Sequence, residues 1–236
     1  MTEPTKRPAR GEAPQWRIEA EQRVKAAVRR YRRPLLGLAA RAAYETETRA
    51  LVRDFLGEAL GFRDEALDRP PNTVAKHADY GLRVGNELVA LVEIKRVATR
   101  LDAPPLRLLG PTVGTPPWFV LTNAVEWRLY HLDTVAGTLA AGSPIIEVDL
   151  LGPSTVAKKA AALVHLTRES FECRGIDSLL LAQHALSADS VSAAVTSAGV
   201  LRAIQRELRR KTGQPIDTKA IAQAVREIVP PPGQQT

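Results

Sequence analysis

A single cysteine and four histidines are all that this 236-residue chain offers a soft metal ion. Cys173 has no second thiol to pair with, so an internal disulfide is excluded, and it reads as an inert residue of a reducing compartment. The histidines are scattered without ligand spacing, which excludes zinc fingers and ribbons. No apolar run approaches the roughly 18 uncharged residues of a membrane helix. The start, Met1 to Gly11, is polar and charged and lacks the apolar centre of a secretory signal. The expectation is a cytoplasmic protein with no membrane partner. There is no G-x-x-x-x-G-K-[ST] phosphate loop and no room for a nucleotide-driven motor. No repeat of solenoid or propeller period occurs.

What remains is ordinary globular material with an uneven charge. The apolar fraction of 44% supports a real core, and the net charge is +7. Between Met1 and Arg33, ten basic residues face four acidic ones, a local excess of +6. A concentrated basic segment is the footprint of a polyanion partner or, equally, a solvated helix face. Arg29, Arg30, Arg32 and Arg33 are the candidates for contact with nucleic acid.

Periodicity gives the elements. Residues 1–13 read as a disordered lead. Ile18, Val24, Ala27, Val28 and Tyr31 predict an amphipathic helix from Pro14 to Arg33, interrupted by Pro34. A second helix is expected over 42–60, with an apolar stripe through Leu51, Val52, Phe55, Leu56, Ala59 and Leu60, stopped by Gly61. Loop signals follow at 69–72. Asp79 to Val84 and Glu87 to Lys95 then read as a hairpin turning at Gly85-Asn86. Prolines and glycines break the next stretch, leaving room for a short helix near 106–109. Trp118 to Thr122 and Glu126 to His131 are further strands joined around Asn123-Ala124, and Ile145 to Leu150 is a candidate edge strand. Beyond Pro153 the pattern is helical: 155–168, 176–186, 188–210 with a break, and 217–228. The expected organisation is a basic lead and helix (1–35), an α/β domain (36–152) and a helical region (153–236).

The chemistry concentrates in the hairpin. Side chains alternate along a strand, so Glu93 and Lys95 share a face while Ile94 points to the other. Two charges on an otherwise apolar strand are costly if buried without purpose. Asp79 on the neighbouring strand can complete a cluster with them. Two carboxylates and the backbone carbonyl of Ile94 are hard oxygen ligands, suited to Mg²⁺ or Mn²⁺. Such an ion activates water and offsets charge on a phosphate, and the Lys95 ammonium orients or polarises the nucleophile. The bland alternative is a surface salt bridge across a hairpin. A third acid is available on the 42–60 helix. At about 100° per residue, Glu45 falls in line with Val52 and Leu56 on the side expected to be buried, while Glu47 faces away. Either Glu45 reaches the same metal, or both glutamates simply favour the positive helix start. His77 reads as a surface histidine, and Trp127 and Tyr130 as core. The run Arg202, Arg206, Arg209, Arg210 and Lys211 is a second basic cluster, either a phosphate grip or a solvated face.

Three segments carry a resemblance. They are Glu45-Thr46-Glu47-Thr48-Arg49 through Glu58-Ala59-Leu60-Gly61-Phe62; Asp79-Tyr80 with Val92-Glu93-Ile94-Lys95-Arg96; and Val120-Leu121-Thr122-Asn123-Ala124-Val125-Glu126-Trp127-Arg128-Leu129-Tyr130. In order and spacing, over about residues 42 to 133, they resemble the amino-terminal nuclease domain of type I restriction enzyme R subunits, within the PD-(D/E)xK superfamily. That resemblance implies a restriction-endonuclease-like mixed sheet flanked by helices, here with helical amino- and carboxy-terminal extensions. It implies Mg²⁺-dependent DNA cleavage in defence or DNA processing, with metal roles at Asp79 and Glu93, the catalytic lysine at Lys95 and the helix acid at Glu45. Two departures stand out. Family members often carry a Gln, then an aromatic four residues later, after Glu-x-Lys, whereas this chain has Pro104-Pro105-Leu106-Arg107-Leu108. The family's turn glycine is Ala124. The lost Gln favours a rival reading, a catalytically inactive nucleic-acid-binding or regulatory module on the same fold. In a third reading residues 155–228 dominate, with the carboxy-terminal helices serving a homodimer or partner protein.

Overall fold

The computed structural model describes residues 13–63, 66–68, 78–102, 115–135 and 138–228. The expected loop at 69–72, the short helix near 106–109, the position of the family Gln and His77 all lie outside those residues. The chain forms two compact units, Met1–Leu179 and Leu180–Thr236. Together they hold amino-terminal helices, a mixed sheet and carboxy-terminal helices, so the chain is an α/β protein as expected.

Helix α1 (Gln15–Ala40) is longer than the sequence suggests, because Pro34 lies inside it. A proline within a helix removes a hydrogen bond and costs about 3 kcal/mol. The apolar stripe nevertheless continues past it: Tyr31, Leu35 and Leu38 are buried at the same spacing as Val24 and Val28. Burying two leucines contributes about 3–6 kcal/mol, enough to carry the helix through the proline. Nor is α1 an extension, since that stripe is part of the first unit's core. Tyr31 meets Phe55 edge-on at 5.2 Å, and Phe55 meets Trp127 of the sheet at 5.1 Å. The same unit includes residues 153–179, so the division expected at 152/153 falls inside it.

Helix α2 (Glu45–Glu58) starts after a sharp turn in which Ala42 takes φ +46°. It ends as expected at Gly61. There φ is +83° and the Phe62 N–H bonds to the Leu56 carbonyl at 3.0 Å, a left-handed closure that favours glycine.

Among the described residues, seven strands follow: β1 (Leu67–Asp68), β2 (Tyr80–Val84), β3 (Glu87–Ile94), β4 (Trp118–Thr122), β5 (Glu126–Val135), β6 (Thr138–Ala141) and β7 (Ile146–Asp149). Five form the body in the order β2-β3-β4-β5-β7, with β1 beside β2 and β6 beside the far end of β5. The hairpin β2–β3 is antiparallel and turns at Gly85, φ +56°. β3 and β4 run parallel, and β4 and β5 antiparallel. β4 is buried throughout, as a central strand covered on both faces must be. The β4–β5 turn is densely bonded. The Asn123 side-chain oxygen accepts from Val125 N and Glu126 N, while its amide donates to the Thr99 carbonyl. Ala124 stands where the turn needs a left-handed residue, at φ +74°.

Register divides the faces. Leu91, Phe119, Leu121, Tyr130 and Leu132 form one apolar cluster with Leu101, while Phe55 of α2 packs on the opposite face through Trp127. Helix α3 (Val156–Leu163), capped by the Thr155 side chain, leads through a 3-10 turn (Val164–Leu166) into α4 (Arg168–Glu172). Helix α5 (Gly175–Ala185) contains the boundary between the units.

The second unit continues with α6 (Ala188–Val195), α7 (Ala198–Thr212) and α8 (Thr218–Ile228). Ser187 and Ser197 cap the first two, and α7 ends at Gly213 with φ +69°. α7 and α8 bury Leu201 and Ile221, and Gln205 donates to the Ile216 carbonyl between them at 2.7 Å. No described helix in either unit is long and apolar enough to cross a membrane.

Candidate active site

The hairpin register aligns the predicted residues. Tyr80 pairs with Val92, Gly81 with Leu91 and Leu82 with Ala90, so one step beyond the last pair Asp79 comes opposite Glu93. Residues opposed across an antiparallel pair share a face. The Asp79 N–H donates to the Val92 carbonyl at 2.8 Å, and Asp79 Oδ2 accepts from Ile94 N at 2.8 Å. The carboxylate of Asp79 is thus tied to the backbone between Glu93 and Lys95.

Glu93 shares the face of Leu91 and Leu121 and is only 4% exposed. A buried carboxylate requires a partner. It has one in the Lys95 ammonium, two residues along the same face, with which it forms an ion pair. Lys95 is more open than Glu93, and its N–H donates to the Thr122 carbonyl of β4 at 2.8 Å.

Helix α2 supplies the rest of the cluster. Thr48, fully buried, accepts the Val97 N–H at 3.2 Å and so fixes the start of α2 at the end of β3. Arg96 donates to the carbonyls of Ala42 and Ala43, and its guanidinium lies over the Tyr44 ring. Held there, Arg49 reaches Asp79 Oδ1 at 2.6 Å and Glu45 at 2.8 Å. Arg49 was not singled out for a role from the sequence, although the four-residue spacing Glu45 to Arg49 already signals a helical ion pair. Its Nε is buried without a hydrogen-bond partner.

Glu45 corrects an expectation. It does not lie on the buried side of α2; its side chain is half exposed and paired with Arg49. As the first residue of the helix, it leaves through the open amino-terminal turn before the buried stripe of Thr48, Val52, Phe55 and Leu56 begins. Glu47 pairs with Arg41 at 2.5 Å. Among the described residues, no three of His, Cys, Asp and Glu are grouped so that they could hold a metal ion. The carboxylates left at the strand ends are Asp79 and Glu93, beside the backbone of Ile94. Next to them, burial raises the Tyr80 phenol above its ordinary pKa, against the pull of the Arg53 and Arg49 charges.

The basic residues of α1 divide. Arg30 forms an ion pair with Glu58, which also accepts from the Tyr31 hydroxyl. Arg29, Arg32 and Arg33 are exposed. In the second unit, Arg210 and Lys211 pair with Glu207, as neighbours on a solvated helix face do. Trp127 and Tyr130 are core residues, and Cys173 is exposed.

No protein-family model, curated protein or solved structure matches the chain.

Proposed function

We propose that this chain is a metal-dependent endodeoxyribonuclease of the PD-(D/E)xK type, cutting DNA in defence or DNA processing. One observation carries the reading. A buried carboxylate, Glu93, stands at the end of a central strand with Lys95 beside it, and Asp79 lies opposite on the adjoining strand. The antiparallel hairpin, parallel β4 and flanking helices are compatible with a restriction-endonuclease-like sheet, and the resemblance over residues 42 to 133 points the same way.

The donor set fits a hard cation. Asp79 and Glu93 offer carboxylate oxygens and Ile94 a carbonyl, and Mg²⁺ binds through few carboxylates while keeping several waters. Bound there, the ion would supply an activated water and offset phosphate charge. Lys95, already at Glu93, holds a positive charge where an attacking oxygen or a phosphate oxygen is to be oriented. Arg49 holds Asp79 in place through its ion pair, on the oxygen that a bound cation would share.

A second reading has an observation of its own. Asp79 and Glu93 are each neutralised by a side-chain cation, Arg49 and Lys95. A module that binds nucleic acid without cutting needs nothing more. Plasmid cleavage separates the two. Wild-type protein with Mg²⁺ or Mn²⁺ is expected to nick or cut, while Asp79→Ala and Glu93→Ala are inactive. Wild-type protein that binds DNA but leaves it intact with every divalent ion decides for the binding module.

A further inference from the structure

Away from the hairpin, a cavity of about 420 Å³ opens between α1, the turn at residues 150–154 and α3. Arg29 and Arg32, one helical turn apart on α1, line one side. Lys159 of α3 lines the other, and its side chain is almost wholly buried. The Lys159 ammonium donates to the carbonyls of Leu150 and Gly152, both at 2.8 Å. Among the described residues, no carboxylate approaches it as a salt-bridge partner. An ammonium has three donors, so one is left over, and two carbonyl dipoles do not cancel a full charge.

The surroundings are equally one-sided. Arg29 and Arg32 form no ion pair or hydrogen bond with a described residue, in contrast with Arg30, which is taken by Glu58. The nearest acid in sequence, Asp149, spends one oxygen on the N–H groups of Leu151 and Gly152 and does not line the cavity. Ser154 adds a hydroxyl to the wall. Among the described residues, three cations and no anion line this concave space, the inverse of the balanced cluster at Glu93.

We propose that this cavity binds a phosphate group. Arg29 and Arg32 present planar guanidinium forks, which match two phosphate oxygens apiece, and Lys159 supplies the point charge beneath. The site stands on these charges alone. It rests on the nucleic-acid reading of α1 only for the source of the phosphate, which is either a polynucleotide backbone or a small phosphorylated compound.

Titration calorimetry on the full chain, without divalent ions, tests it. Sodium phosphate and pyrophosphate are compared with chloride at equal ionic strength, and a short DNA duplex is titrated separately. The variants are Arg29→Gln with Arg32→Gln, and Arg33→Gln as a control for charge on the same helix. All three side chains are exposed, so folding is not at risk. Wild type is expected to bind pyrophosphate, the double variant to lose roughly tenfold or more, and Arg33→Gln to stay within about twofold of wild type. Duplex affinity that falls with the double variant and is competed by pyrophosphate assigns the pocket to nucleic acid. Unchanged duplex affinity assigns it to a small phospho-compound. Wild type that binds pyrophosphate no better than chloride, or an Arg33→Gln loss equal to that of the double variant, overturns the proposal. None of these outcomes depends on Glu93, so the nuclease reading stands or falls separately.

Discussion

Two ion-pair clusters in the first unit are built from the same chemistry and finished differently. In the helical layer, Arg23 uses its whole fork: Nε donates to the Ala59 carbonyl at 3.1 Å, and both terminal nitrogens meet Glu169 at 2.8 Å. At the hairpin, Arg49 leaves Nε buried without a partner, and Lys95 spends its ammonium on Glu93 with donors to spare. A fully satisfied bidentate pair holds two elements together and has nothing left to offer. A partly satisfied one keeps capacity for a ligand, at a cost in stability that a protein tolerates where function needs it. On the proposed function, the Arg23 cluster serves the fold and the Glu93 cluster the chemistry.

The largest expected effect sharpens that assignment from the chemical side. Glu93→Ala should lower cleavage by about a thousandfold or more, as loss of a metal ligand and its charge does. Its melting temperature without metal should stay close to wild type, because Asp79 loses a like-charged neighbour and Lys95, the partner left behind, is open to solvent. A large fall in melting temperature would make Glu93 a structural ion and erase the contrast.

The mirror experiment is Glu169→Ala. It leaves Arg23 half-buried with its two best bonds cut, and should cost about 1–3 kcal/mol of stability. DNA cleavage at a temperature where the variant is folded should be unchanged. Cleavage lost in step with Glu93→Ala would mean that the helical layer belongs to the active site.

Acid should attack the helical layer first. Burial, with Arg17 close by, lowers the His165 pKa to about 4. The unfolded chain binds that proton near its ordinary value of 6.5, so this share of stability is present above 6.5 and lost as pH falls through 4. At about pH 5, discounted for the solvent that reaches the ring, the loss amounts to about 1 kcal/mol. His165→Gln should flatten the fall in melting temperature between pH 7 and 5. Glu169 adds a second acid-labile share. Burial alone would raise its pKa, but the Arg23 bonds and charge bring the net below the ordinary carboxylate range, so stability present above that range is lost as pH falls through the lowered value. An unaltered pH profile in His165→Gln would place the acid sensitivity elsewhere.

The smallest effect lies on the strand side but outside both clusters. Ala124 holds a left-handed conformation that disfavours any side chain. Ala124→Gly relieves that strain and loses a buried methyl and some unfolded-state restraint, for a net gain below about 1 kcal/mol. A small rise in melting temperature with unchanged cleavage is expected, and a fall would show that the methyl outweighs the strain.

How much of this was legible in the sequence follows the range of the interactions. The hairpin, its Gly85 turn, the Gly61 helix end and the shared face of Glu93 and Lys95 are local, and alternation with turn chemistry was enough to read them. Trp127 and Tyr130 as core followed from the same patterns. The course of α1 through Pro34 was not legible, because it depends on partners elsewhere in the chain, such as Ala43, Leu51 and Val97, which pack against Leu38. Strands β1 and β6 are too short to carry a pattern. The Arg23–Glu169 pair joins residues 146 positions apart, and nothing local marks either partner. Glu45 was misplaced for a related reason: helical phase gives its azimuth, but not that it stands on the open first turn. Lys159 sits among alanines in a pattern that reads as a solvated helix, and only the 150–154 turn folding over it makes it a buried charge.

The most direct test of the contrast is calorimetric titration of Mn²⁺ into the full chain in three forms: wild type, Glu93→Ala and Glu169→Ala. Binding in wild type and Glu169→Ala, lost in Glu93→Ala, is the predicted result. Absence of binding in wild type, or equal binding with and without the Glu93 carboxylate, would contradict it.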